Sequence, residues 1–108
     1  MAREGEVEVS QRDRIIARGQ VILWNAEKAS WHFLDITGDV VGEIHFASMG
    51  RTGGFGSVKV RATIGQTSWA TSLFPHKATG GFVLPLKAAV RKSEGIAAGD
   101  EIEVMLEI

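Results

Sequence analysis

The sequence predicts a small, mainly β protein: a closed barrel of two related strand, short helix, strand units, with one clear short helix near residues 85–94. Three observations predict it. Candidate strands alternate apolar and polar residues with period two, glycine-bearing turns separate them, and the segment 57–64 superposes on 101–108 with its four apolar positions matched. Each unit is too small to bury its own apolar face, so the two close on each other about an approximate twofold axis.

The elements follow in order. Residues 1–16 are rich in charge and carry only the alternation Glu6-Val7-Glu8-Val9, which reads as a frayed arm or an edge strand ahead of a single barrel domain at 17–108. Val21-Ile22-Leu23-Trp24 reads as a buried strand and Trp31 to Ile36 as its hairpin partner across a turn at Asn25 to Ser30. Thr37 to Ile44 suits a short helix, with Thr37 as N-cap and Val40, Val41 and Ile44 on one face. The run Ser48 to Gly56 holds four glycines and forms a loop or a bulge.

The second half repeats the scheme. Ser57 to Ile64 sends Val58, Val60, Ala62 and Ile64 to one face and Lys59, Arg61 and Thr63 to the other. Gly65-Gln66 is a tight turn, and Thr67 to Phe74 is the hairpin partner, ended by Pro75. Phe82-Val83-Leu84 is a strand that Pro85 ends while supplying the φ of a helix's first turn. Leu86, Ala89 and Val90 form the buried face of that helix, Gly95 its left-handed stop, and Ile102, Val104, Leu106 and Ile108 the inward side of the last strand. Trp24, Trp31 and Trp69 with Phe33, Phe74 and Phe82 are read mainly as barrel filling.

Composition excludes several classes. Of 108 residues, 44% are hydrophobic and 23% charged, an ordinary globular balance, and no run approaches the about 18 apolar residues of a membrane span. The chain has no cysteine, hence neither disulfide nor thiolate metal site, and its first residues lack the apolar core of a secretory signal; a cytoplasmic setting is the expectation. The net charge of −1 argues against a generic nucleic-acid binder. Its distribution is uneven. Between Glu43 and Glu94 there is no Asp or Glu, whereas Arg51, Lys59, Arg61, Lys77, Lys87, Arg91 and Lys92 all fall there.

Catalytic and metal signatures are weak. His32, His45 and His76 have no metal-ligand spacing, so no metal or cofactor is expected. Ser72 and His76 make an imaginable nucleophile pair without an orienting third group, which leaves an enzyme unassigned. Gly53-Gly54-Phe55-Gly56 lacks the order of a phosphate-cradling loop.

Specific runs carry a resemblance. The pattern strand, Leu84-Pro85, basic short helix, Gly95-Ile96, Gly99-Asp100, alternating strand resembles the swapped-hairpin motif of the AbrB/MazE-like proteins. Gly54 to Val60, Ile64 to Pro75, Pro85-Leu86-Lys87, Val90-Arg91-Lys92 and Gly99-Asp100 resemble the bacterial family called domain of unknown function 1905, over about residues 20–108. The resemblance implies a double-split β-barrel in which one chain carries both halves; Thr37 and Phe55 depart from the residues frequent in that family, and the turn at 77–81 is longer.

The expected site is an anion-attracting surface made of Arg61, Lys77, Lys87 and Arg91, with Ser72 and His76, and Thr71 beside them, adding hydrogen bonds. Its expected partner is a small anionic molecule or an acidic peptide, bound by a monomer or homodimer away from any membrane. The alternative, from the AbrB-type likeness, is a nucleic-acid-binding domain. A competing arrangement pairs Glu103 and Glu107 with Lys59 and Arg61 and neutralises the basic segment within the fold.

Overall fold

The computed structural model describes residues 13–108. Its elements are β1 (Arg14–Ala26), β2 (Ala29–Ile36), α1 (Val40–Ala47), a 3-10 turn (Gly54–Gly56), β3 (Val58–Ile64), β4 (Thr67–His76), β5 (Gly81–Pro85), α2 (Ala88–Glu94) and β6 (Glu101–Glu107). The six strands close into a barrel in the order β1-β2-β5-β4-β3-β6, every neighbouring pair antiparallel. No helix of the described residues is long and apolar enough to cross a membrane.

The internal repeat is visible in the pairing. Exchanging β1 with β4, β2 with β5 and β3 with β6 leaves the strand order unchanged. At the β2–β5 seam Leu34 faces Leu84, and the flanking pairs Phe33↔Pro85 and Asp35↔Val83 trade places under the rotation. At the β3–β6 seam Ala62 faces Leu106, and Arg61↔Glu107 and Thr63↔Met105 trade places likewise. The axis passes through both seams. Leu34, Leu84, Ala62 and Leu106 are completely enclosed.

Of the six residues expected to be buried near this axis, Val58, Val60, Ile64, Val104 and Leu106 lie in the core, and Ile102 packs against it half-buried. α2 ends as the sequence implies. Gly95 adopts the left-handed conformation (φ 67°), the Ile96 N–H donates to the Arg91 carbonyl at 2.9 Å, and Ile96 joins Val90 in the core.

Several boundaries differ from the sequence reading, each for a local reason. Residues 1–12 of the expected arm lie outside the described residues, whereas Arg14, Ile15 and Ile16 belong to β1 and pair with β6. α1 begins at Val40 with Asp39, not Thr37, at its N-cap, because Gly38 sits at φ 89° and breaks any helix started earlier. β4 runs through Pro75 to His76: β3 stops at Val58, opposite Leu73, so no ladder on that side needs a donor from residue 75. Pro85 remains in β5 opposite Phe33, and α2 starts at Ala88 after an extended Lys87. In the glycine-rich loop, Phe55 holds a left-handed φ of 60° and is almost fully exposed.

The aromatic residues are the larger correction. Trp69 and Phe82 are buried, but Trp24, Trp31 and Phe74 are exposed. β1 and β2 pair out to Ala26↔Ala29, whereas β6 accompanies β1 only up to Gln20 and β5 accompanies β2 only from Phe33. Trp24 and Trp31, paired with each other, lie on the outward side of this ladder, opposite to the side on which Val21 and Leu34 enter the core, and Trp24 packs there on Phe33.

The seam at Ala62 and Leu106 holds the halves together with few atoms. Leu106→Ala should lower unfolding free energy by about 2–5 kcal/mol, the usual cost of a cavity in a closed core. Ile16→Ala, on the exposed side of β1, should change it by less than about 1 kcal/mol. Urea unfolding of both variants checks the contrast.

Candidate functional site

The barrel wall opens where β5 leaves it. Beyond Pro85 the ladder continues for one bond, from the Leu86 N–H to the His32 carbonyl at 2.9 Å, and then the chain turns into α2. β2 and β4 run on past that point without β5 between them. In an antiparallel ladder successive residues turn their backbone groups to opposite sides. Since His32 faces β5, so does Ser30; since Leu84 and Leu86 face β2, Val83 faces β4, and its partner Phe74 shares that side of β4 with Ser72 and Ala70. Two strand edges thus confront each other across a gap.

A cleft of about 250 Å³ fills this gap, lined by Ser30, Trp31 and His32 from β2, Trp69, Ala70 and Thr71 from β4, and Pro85, Leu86, Lys87 and Arg91 from the β5–α2 connection. It has two bases and no carboxylate in its lining. The Arg91 Nε donates to the Leu86 carbonyl at 3.0 Å, which fixes the guanidinium at the closed end and leaves its terminal nitrogens for a ligand. α2 is itself tied down at its far end: the Glu94 carboxylate accepts from the Thr67 hydroxyl at 2.6 Å and from the Gln66 N–H at 3.3 Å. A larger depression of about 470 Å³ between β1 and α1 has Asp13 and Glu43 beside Arg14, a mixed lining without a positive bias.

His32 belongs to the cleft and was missed by sequence reasoning. Its Nδ1 is sealed from solvent with no hydrogen-bond partner. Placing a proton there would strand a donor, so the neutral ring with its proton on Nε2 is the form this site favours. Burial lowers the pKa of His32 below its ordinary 6.5, and the nearby Arg91 charge lowers it further.

The residues expected to form one surface are separated. Lys87, Arg91 and Thr71 meet in the cleft. Arg61 stands on β3 opposite Ala70, one strand spacing (about 4.8 Å) outside it, with Glu107 opposite on its other side. Ser72 faces outward opposite Lys59, and His76 lies four residues further along β4, about 13 Å away, so the two do not form a nucleophile pair. His76 instead meets a carboxylate, its Nδ1 at 3.1 Å from Asp35 Oδ1, with the Trp24 ring edge-on at 5.4 Å. Lys77 sits beyond it, in the β4–β5 connection at the opposite end of β4 from the cleft. The acidic face of β6 is neutralised by different partners than expected: Glu107 pairs with Arg14 at 3.3 Å and Glu103 with Arg18 at 3.2 Å, residues directly opposite in the β1–β6 register. Among the described residues no group of three or more potential metal ligands assembles.

The depressed pKa of His32 has a defined sign. The unfolded chain takes up a proton on this residue near 6.5, whereas the folded chain resists it, so the unfolded state binds more protons below that value. The stabilisation is complete above pH 6.5 and declines as pH falls toward the folded pKa. Thermal melts from pH 7.5 to 5 should show a steeper loss for the wild type than for His32→Gln; parallel curves would refute this role.

Comparison with curated proteins finds no match. The family model described as Domain of unknown function (DUF1905) matches residues 18–106, from the middle of β1 to the penultimate residue of β6. The match takes in both halves of the barrel, the cleft and its bases, and the chain therefore belongs to the DUF1905 family.

Proposed function

We propose that this barrel is a binding module for an anionic small molecule or acidic peptide, which it holds in the wall cleft through Lys87 and Arg91. One observation carries the reading: two bases, one of them anchored by its own backbone contact, line a concavity that contains no carboxylate. An anion there gains charge-assisted hydrogen bonds from the Arg91 fork and the Lys87 ammonium, and a neutral donor from the Thr71 hydroxyl. The lining is partly aromatic, so ligand entry displaces water from Trp31 and Trp69 and makes the site self-reporting.

Titration with acetate, phosphate, sulfate and nucleotides, followed by tryptophan fluorescence, should give a saturable response for at least one anion. Arg91→Ala combined with Lys87→Ala should weaken it at least about tenfold, equivalent to about 1.4 kcal/mol. Lys77→Ala, at the other end of β4, should leave it unchanged. Absence of saturation in the wild type refutes the reading, as does equal binding by the double variant. Binding to arbitrary DNA that falls steeply with salt would point to the nucleic-acid class in its place.

A further inference from the structure

We infer that the ligand of the cleft is the C-terminal end of an extended polypeptide, inserted as a short strand between β2 and β4; this inference rests on the anion-binding reading. Three features point to it. The first is the pair of facing edges. Ser30 on one side and Ala70 on the other turn backbone N–H and C=O groups into the gap that β5 vacates, and these groups have no strand partner there. A third backbone placed between them continues the sheet and satisfies both edges, the physical basis of recognition by strand addition.

The second feature is length. Beyond the level of Leu86 the two edges run on for about three residues each, Ala29 to Trp31 and Ser68 to Ala70, which corresponds to roughly 10 Å of extended chain. The cleft volume of about 250 Å³ lies below the roughly 300 Å³ at which drug-sized pockets begin, and it suits a chain end better than a folded partner.

The third feature sets the polarity. The slot is blocked at one end by Leu86, whose N–H already occupies the His32 carbonyl, so an entering chain must terminate there. The charges at that blocked end are positive: Lys87 is the next residue, and Arg91 is held on the Leu86 carbonyl itself. A terminal carboxylate is attracted to that position and a terminal ammonium repelled. The inserted chain thereby runs parallel to both β2 and β4, with its carboxylate against Arg91 and Lys87.

The test uses the intact protein and a mixed-sequence pool of N-acetylated tripeptides in three forms: free acid, C-terminal amide, and free acid N-methylated at the last peptide nitrogen. Acetate and phosphate serve as simple anions. The free-acid pool should bind at least about tenfold more tightly than the amide pool, the N-methylated pool or acetate, and should shift the backbone amide resonances of Ser30 and Ala70. In Arg91→Gln the preference for acid over amide should collapse while the fold, read by the amide spectrum, persists. If acetate or phosphate binds as well as the acid pool, in a manner dependent on Lys87 and Arg91, the anion site stands and the peptide inference falls. If none of these anions saturates the cleft, both fall.

Discussion

Closure of the barrel depends on two short seams, β2 with β5 and β3 with β6, through which the pseudo-twofold axis passes. The other four pairings build two three-stranded sheets, β6-β1-β2 and β5-β4-β3, and these two seams join the sheets into the barrel. At each seam a residue meets its own rotational equivalent in a completely enclosed position, Leu34 on Leu84 and Ala62 on Leu106. Large side chains at one seam and a small one facing a large one at the other set how closely the halves approach. The packing of both helices inherits that distance, because Ile44 of α1 and Val90 of α2 fill the same core.

The opening in the wall is a consequence of that core. Leu86, Val90 and Ile96 are all buried, so the chain after Pro85 must leave the sheet to carry them inward. β5 can therefore accompany β2 and β4 only part of the way. A closed barrel abolishes free edges, and this one recovers a short pair of them where its own helix demands the exit. The same exit delivers Lys87 and Arg91 to the rim, so the charge and the unpaired backbone have one structural cause.

Strand identity was legible where the two faces of a strand differ chemically. Ser57 to Ile64 alternates without exception and Glu101 to Ile108 with Met105 as its one exception, and their superposition pointed to the β3–β6 seam. The end of α2 was legible because Gly95 and Ile96 encode a stop that few other residues permit. The aromatic residues of β1 and β2 were not, since Val21 to Trp24 is an unbroken apolar run that does not say which of its residues face out. The site was half legible. Lys87 and Arg91 stood out as bases in an acid-free run, but an acid-free sequence is not an acid-free neighbourhood: Asp35 reaches His76 from 41 residues away. His32 carried no local signal, because its role comes from the point at which a strand more than fifty residues later turns aside.

The duplicated framework is matched in its strand order and unequal in its detail. Rotation about the axis that takes Leu34 to Leu84 brings His32 onto Phe82, a residue almost completely enclosed. A homodimer built from identical halves has to repeat every substitution at both equivalent places. A single chain that carries both halves is free of that constraint. At one copy of the position stands a solid hydrocarbon plug, at the other a polar lining residue, so the barrel has a front and a back.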